Sequence, residues 1–251
     1  MGGSVTKLQA NDGKFLGKFS VGGGLAGGPF GVTFDGANIW VSNFNGYVTK
    51  LRASDGTHLG NFYVPAPGFM TFDGANIWVP STNGTSPGSV YKLRASDGKV
   101  MGTFTVGCEP ISAAFDGENV WVVNQCGSVT KLRASDGTVL GTFNVGFQPV
   151  GICFDGANIW VANQNDGTVS KLRATDGMLL GTFSLGNTLP YMLAFDGENI
   201  WASGYTRVVE LRTSDGMVIG DFGPGTNSTG IAFDGANIWV ALPSLNMIAK
   251  M

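Results

Sequence analysis

The heptad FDGANIW occurs at residues 34–40, 72–78, 154–160 and 233–239, with the variants FDGENVW at 115–121 and FDGENIW at 195–201. Its phenylalanines, Phe34, Phe72, Phe115, Phe154, Phe195 and Phe233, recur about every 40 residues. A second phrase interleaves with the first. It reads KLRASDG at 50–56, 92–98 and 131–137, KLRATDG at 171–177, ELRTSDG at 210–216 and, in degenerate form, KLQANDG at 7–13. A period of this length with strand-like content is the mark of a propeller, in which units too small to bury their own apolar faces cover one another.

The unit 147–186 shows what one repeat folds into. Strand A is predicted over Val150–Phe154, B over Ile159–Asn163, C over Thr168–Arg173 and D over Met178–Ser184. Asp-Gly turns separate A from B and C from D. Strand B is nearly all apolar, as a strand covered on both faces must be. No segment carries a helical period of adequate length. Six such units predict an all-β chain: a six-bladed β-propeller with four antiparallel strands per blade, forming a single domain over 1–251. Radial repetition protects the sheet edges.

The closing blade is expected to be shared between the N- and C-termini, with A and B from the C-terminus and D from the N-terminus. Two segments compete for its C position, Val5–Leu8 and Ile248–Met251. GSVTKL at 3–8 repeats 127–132 letter for letter, which favours Val5–Leu8 and leaves the last residues at an edge. A fragment of a longer array is the other possibility.

Composition narrows the function classes. A net charge of −3 provides no basic field for nucleic acid or an anionic membrane surface. No run of 18 apolar residues suggests a membrane span. The start MGGSVTKL lacks the charged and apolar regions of a signal peptide. Three cysteines are too few for a disulfide scaffold. The compartment stays open, an exported or cell-surface origin being favoured over the cytoplasm. Nearly all charge belongs to the repeat. Outside the repeated phrases the only acidic residues are Glu109, Asp166, Glu210 and Asp221, the Glu of ELRTSDG counted here because it replaces Lys. The basic ones are Lys14, Lys18, Lys99 and Arg207, with Lys250 in the Ile248–Met251 strand-C candidate. The turn aspartates suit Asx geometry and are expected to pair with the KLR cations. Trp40, Trp78, Trp121, Trp160, Trp201 and Trp239 all occupy one repeat position in strand B, which predicts core packing.

The copies differ in the D–A and B–C connections, which share one end of the blades. A fixed frame beside divergent loops is how a binding face on a rigid scaffold is built. The first connections place Phe44, Asn45, Tyr47, Phe69 and Glu109 there. The later ones add Gln125, Phe147, Gln148, Asn163, Asn165 and Asp166, with Gln164 between them, and then Tyr191, Tyr205 and Arg207. Aromatics and amides with little charge suit a neutral polar ligand, a glycan or a peptide, better than a phosphate or a metal. No cofactor and no metal site is expected.

Several motifs compete with that reading. Residues 22–27 fit G-x-G-x-x-G, but a strand follows where a dinucleotide fold needs a helix, so a long loop is the simpler reading. Cys108 and Cys126 flank one A–B hairpin at the variable end. A disulfide there is geometrically plausible, with two free thiols or a weak metal site as alternatives. Cys153 stands in strand A as a core thiol. His58, the only histidine, lies at a C–D turn on the uniform side. Asn83-Gly84-Thr85 and Asn227-Ser228-Thr229 are formal glycosylation sequons.

The unit GICFDGANIWVANQNDGTVSKLRATDGMLLGTFSLG resembles the YVTN/NHL class of β-propeller repeats over essentially the whole chain. The aromatic-Val-x-Asn strand and the G-T-V-x-K-L hairpin carry the likeness. The resemblance implies a propeller, and its members include surface, periplasmic and interaction proteins. Streptogramin lyases are similar in repeat pattern. Their activity implies a histidine-containing, magnesium-dependent site, and no histidine falls on the variable end here. A non-enzymatic binding or protein-interaction propeller is therefore expected. The alternatives are a metal-dependent lyase or hydrolase with an atypical site around Glu109, Asp166 and Arg207, and a recently amplified or engineered scaffold without a specific ligand.

Overall fold

The computed structural model describes residues 3–21, 28–82, 84, 86–223 and 227–251. The Gly-rich stretch 22–27 and the first sequon therefore lie outside the described residues, the latter at Asn83 and Thr85. The fold is an all-β, six-bladed propeller of four-stranded antiparallel blades. The chain forms two compact units, Met1–Val122 with Leu132–Thr138, and Val123–Lys131 with Val139–Met251.

The chain opens with the hairpin β1 (Ser4–Leu8) and β2 (Phe15–Ser20). The first complete blade follows as β3 (Pro29–Phe34), β4 (Asn38–Asn43), β5 (Tyr47–Arg52) and β6 (His58–Tyr63). The second is β7 (Thr71–Phe72), β8 (Asn76–Ser81), β9 (Gly88–Arg94) and β10 (Val100–Val106). The third is β11 (Pro110–Phe115), β12 (Asn119–Asn124), β13 (Ser128–Arg133) and β14 (Val139–Asn144). The fourth is β15 (Pro149–Phe154), β16 (Asn158–Asn163), β17 (Thr168–Arg173) and β18 (Leu179–Ser184), within a residue of the predicted bounds. The fifth is β19 (Pro190–Phe195), β20 (Asn199–Gly204), β21 (Val208–Arg212) and β22 (Val218–Phe222). The chain ends in the three-stranded sheet β23 (Ile231–Phe233), β24 (Ile238–Leu242) and β25 (Met247–Lys250).

The last sheet corrects one expectation. The C position beside β24 is held by β25, from the Ile248–Met251 candidate, with Trp239 opposite Lys250. Val5–Leu8 instead lies in β1 and pairs with β2 in a two-stranded sheet. Both pairings are sequence-local hairpins, and short loops carry the smallest closure entropy. Letter identity with residues 127–132 did not outweigh that.

The heptad's spelling has a physical reason beyond burial. In each copy the Asp Oδ1 accepts the backbone N–H groups two and three residues on, at 2.9 and 2.6 Å for Ala37 and Asn38. Its Oδ2 accepts the indole N–H five residues on: Trp40 to Asp35 at 2.8 Å, Trp160 to Asp155 at 2.7 Å, Trp239 to Asp234 at 2.6 Å. The glycine between turns the chain at positive φ, 93° at Gly36, where a side chain is strained. One carboxylate thus holds both the turn and the ring. Trp40, Trp78, Trp121 and Trp160 are fully buried, as expected. Trp201 and Trp239 are only partly so.

The second phrase joins one repeat to the next. The arginines pair with the turn aspartates, as Arg133 with Asp136 at 3.0 Å, in exposed bridges worth about 0–1 kcal/mol. The lysines do something else. Lys50 Nζ donates to the carbonyls of Ala95 (2.6 Å) and Ser96 (3.2 Å), while lying 5.0 Å from the centroid of Trp40. Lys92 repeats this with Ala134, Ser135 and Trp78. Lys171 donates to Thr213 and covers Trp160. These ammonium groups are buried, and the carbonyls with the cation–π contact replace their water. The turn glycine seats a ring from the preceding repeat. A Cβ at Gly98 would overlap Phe62, and one at Gly177 would overlap Phe143.

Replacing Lys92 with Met keeps the bulk but leaves both carbonyls unpaired. It is expected to cost about 1–3 kcal/mol in urea unfolding, against less than about 0.5 kcal/mol for exposed Lys99→Met. Acid should act through the turn aspartates. Burial is the largest influence on Asp155 and raises its pKa, but bonds from Trp160, Ala157 and Asn158 together outweigh it and leave the value lowered. Asp35 and Asp196 are lowered in the same balance. In Asp234 the Trp239 bond leads the lowering. A lowered folded pKa gives stability that is complete above the unfolded value, about 3.9, and lost as pH falls through the folded ones. The urea midpoint should therefore fall below about pH 4, with Asp155→Asn flattening that acid limb.

Candidate ligand-binding face

In the first unit the variable loops bring Phe30, Phe44 and Phe69 into one cluster. The Phe30 ring centroid lies 4.8 Å from Phe44 and 4.2 Å from Phe69. Phe44, at the tip of the β4–β5 turn, is 63% exposed and so offers a ring to a ligand. Tyr47, in the first position of β5, meets Tyr63 edge-on at 5.6 Å. Phe30 and Tyr63 were not among the sequence candidates; Phe30 falls near the start of β3 and Tyr63 at the end of β6.

The cluster has a local cause. The segment Pro65-Ala66-Pro67-Gly68 turns through positive φ at Ala66 and leaves β7 only two residues long. Phe69 then pairs with the next repeat: its N–H donates to Ile111 O at 2.8 Å, and its carbonyl accepts from Ala113 at 3.1 Å. The ring is thereby carried over Gly31. A Cβ at Gly31 would lie 3.0 Å from Phe69 Cδ1 and from Ser42 Oγ. Glu109, two residues before Ile111 and also at positive φ, is exposed.

In the second unit several candidates serve the frame. Asn163 is fully buried. Its Oδ1 accepts from Gly146 at 3.1 Å, and its Nδ2 donates to Thr168 and Ser170. Asp166 Oδ2 accepts from the Phe147 N–H at 2.6 Å. Asn165 donates to Gln148 Oε1 at 2.6 Å. These bonds tie the 146–148 and 163–166 loops together and hold Phe147 outward, 58% exposed. Arg207 pairs with Asp221 across the β21–β22 hairpin. Tyr205 is 62% exposed, Gln125 and Tyr191 are partly buried, and burial raises the Tyr191 pKa. Among the described residues no group of three histidine, cysteine, aspartate or glutamate side chains could hold a metal ion.

Cys108 and Cys126 are disulfide-bonded, and Cys153 is a free thiol whose pKa is raised by burial and by Asp155. His58 is exposed and 3.1 Å from Asn61 Oδ1. Ser228 of the second sequon is fully buried and donates to Gly204 O at 2.7 Å. No helix among the described residues is long and apolar enough to cross a membrane.

Four-stranded repeats with uniform turns at one end and divergent loops at the other define a β-propeller repeat protein. The chain belongs to the PQQ_2 family, described as outer membrane protein assembly factor BamB, whose family model matches residues 1–151. No curated protein matches it in sequence. Among solved structures it is similar to Kuenenia stuttgartiensis hydrazine synthase, with a TM-score of 0.86, 15% identity, and coverage of 99% of this chain and 89% of that one. It is also similar to a catalytically inactive virginiamycin B lyase from Staphylococcus aureus with quinupristin. There the TM-score is 0.82 and the identity 19%, over 98% of this chain and 87% of that one. The selenomethionine form of that lyase gives a TM-score of 0.83, also at 19% identity, over the same shares of the two chains. At these identities the likeness is one of fold.

The disulfide closes a loop of roughly 15–20 residues, for which about 3 kcal/mol of stabilisation is expected. Reduction, or Cys126→Ser, should lower the free energy of unfolding by about 2–4 kcal/mol. Denaturant titration with and without reductant measures this.

Proposed function

We propose that the chain is a non-enzymatic binding propeller, one domain over 1–251, that takes a neutral polar ligand, a glycan or a peptide, on its B–C and D–A loops. The observation that carries this is the Phe30–Phe44–Phe69 cluster, with exposed Phe44 in the turn that leads into Tyr47 of the Tyr47–Tyr63 pair. Exposed aromatics positioned by a rigid frame stack on sugar or peptide faces at little entropic cost. The charged candidates support the same reading. Asp166 and Arg207, like the amides of Asn163 and Asn165, are engaged within the protein, which leaves the rings to meet a ligand. The fold is shared with a lyase seen with quinupristin, so that compound belongs in the panel beside glycans and peptides.

The test is a binding screen with and without divalent metal, read by thermal shift and confirmed by calorimetry. A metal-independent ligand is expected, and the Phe44→Ala/Tyr47→Ala chain should bind it more than about tenfold more weakly. Phe147→Ala and Tyr205→Ala would show whether the second unit's rings contribute. Undiminished affinity in the double variant would sink the reading. So would metal-stimulated turnover abolished by Glu109→Gln, which would favour an enzyme.

A further inference from the structure

Four rings cross one end of the first complete blade, one from each strand or from the turn beside it. Phe30 is the second residue of β3, Phe44 follows β4 in the B–C turn, Tyr47 begins β5 and Tyr63 ends β6. In the sheet order β3-β4-β5-β6, Pro29 stands opposite Asn43, Asn43 opposite Tyr47, and Tyr47 opposite Tyr63, which puts all four rings at the same end. Contacts make them one row. Phe30 packs on Phe44, and Tyr47 on Tyr63. The Tyr63 ring rests against the turn that carries Phe44, since a Cβ at Gly46 would lie 3.4 Å from Tyr63 Cε2. Phe69 backs the row at its β3 end. Phe44, Tyr47 and Tyr63 are exposed along it.

The two tyrosines are not a requirement of the frame. The cross-strand pair that ends strands C and D here is Ser4 with Ser20 in the N-terminal hairpin, Ser89 with Thr105 in the second blade, and Thr168 with Ser184 in the fourth. Paired hydroxyls suit that position. Tyrosines replace them in the one repeat whose B–C turn also carries a phenylalanine. Three strand spacings of about 4.8 Å make the row about 14 Å long, room for about three sugar rings.

We propose that the ligand of this face is a linear, uncharged, equatorially linked glycan that lies across the first complete blade from Phe30 to Tyr63. This rests on the binding role argued above and narrows its ligand. A row of rings matches a chain whose units repeat one apolar face, and equatorial linkages keep those faces extended in line. Each pyranose covers a ring with its C–H face while its hydroxyls stay in water or meet the tyrosine O–H groups. A peptide laid along the same row would press its amides against rings, with two phenols to pair them, and an unpaired amide is costly to desolvate.

The test is calorimetry on the full chain with β-1,4-linked glucose and N-acetylglucosamine oligosaccharides of increasing length, beside a proline-rich peptide. Affinity is expected to rise more than about tenfold from monosaccharide to trimer and to level beyond about the tetramer, where added units extend past the row. The Tyr47→Ser/Tyr63→Ser chain copies the pair of other repeats, so it should keep its melting temperature and bind the longer oligomers only as tightly as the wild type binds the disaccharide. Affinity that ignores length, longer oligomers bound undiminished by the tyrosine variant, or no binding by either series overturns the proposal. So does a peptide bound more tightly than every oligosaccharide. Peptide binding that is lost in Phe44→Ala would overturn the glycan and sustain the binding face, whereas a face that binds neither class counts against both. Should the tyrosine variant not fold, the dependence on length alone decides.

Discussion

The bond from an indole N–H to the aspartate five residues before it is the interaction on which the rest of the structure depends. The aspartate's other oxygen fixes the A–B turn, so the ring is oriented by a group that is itself immobile. An oriented indole can then do three things at once. It fills the blade core, stacks on the phenylalanine of strand D, and presents a face to the lysine directly opposite on strand C. That lysine reaches past its own sheet to carbonyls of the next repeat. Turn, core and joint therefore share one set of atoms. Removing one member is expected to be felt by the others in a non-additive way.

The exception at ELRTSDG shows how the set responds to a change of sign. Glu210 stands opposite Trp201 where other repeats have lysine. A carboxylate cannot donate to carbonyls, so it turns inward and accepts from Asn199 Nδ2 at 2.9 Å. In the other repeats this amide serves the heptad aspartate, as Asn158 does Asp155. Burial and then the nearby Asp196 raise the Glu210 pKa. Trp201, without an ammonium over it, keeps its bond to Asp196 and its stacking on Phe222, but is less buried than Trp160. The turn bond is independent of the joint, whereas among the five complete blades the ring that lacks the lysine is the one left partly buried.

Much of this was legible in the sequence because the repeat is written in local rules. Strand bounds in 147–186 followed from alternation and Asp-Gly turns, and core tryptophans from their single repeat position. The lysine latch was not legible: KLR reads as a cation cluster beside an acidic turn, and only the arginine behaves so. Nothing in the letters says that Lys50 will reach Ala95, because that distance is set by how one blade packs on the next. The choice between Val5–Leu8 and Ile248–Met251 failed for a related reason. Sequence identity ranks candidates for a position, but hairpin locality assigns them. Of the candidate site, Phe44 and Phe69 were readable from loop divergence. Phe30 lies in a divergent D–A connection but was not singled out, because its ring contacts with Phe44 and Phe69 and the role of Gly31 in admitting Phe69 appear only once two repeats are side by side.

The frame also limits what the variable end can use. Asn163 and Asp166 look like ligand-binding groups among the loop residues, yet hydrogen bonds that hold neighbouring loops occupy them. Arg207 is paired across its own hairpin. A charge or amide recruited to fix a loop has little left for a ligand, since its desolvation is already met inside the protein. Aromatic rings are different. Phe30 holds Phe44 and Phe69 in one cluster while leaving Phe44 open, so the same contacts that order the loop leave a ring to bind with. A propeller whose charges are spent on turns and joints is therefore suited to ligands read by stacking and shape. Under the proposed binding role, recognition would depend little on ionic strength, because rings carry no charge to be screened.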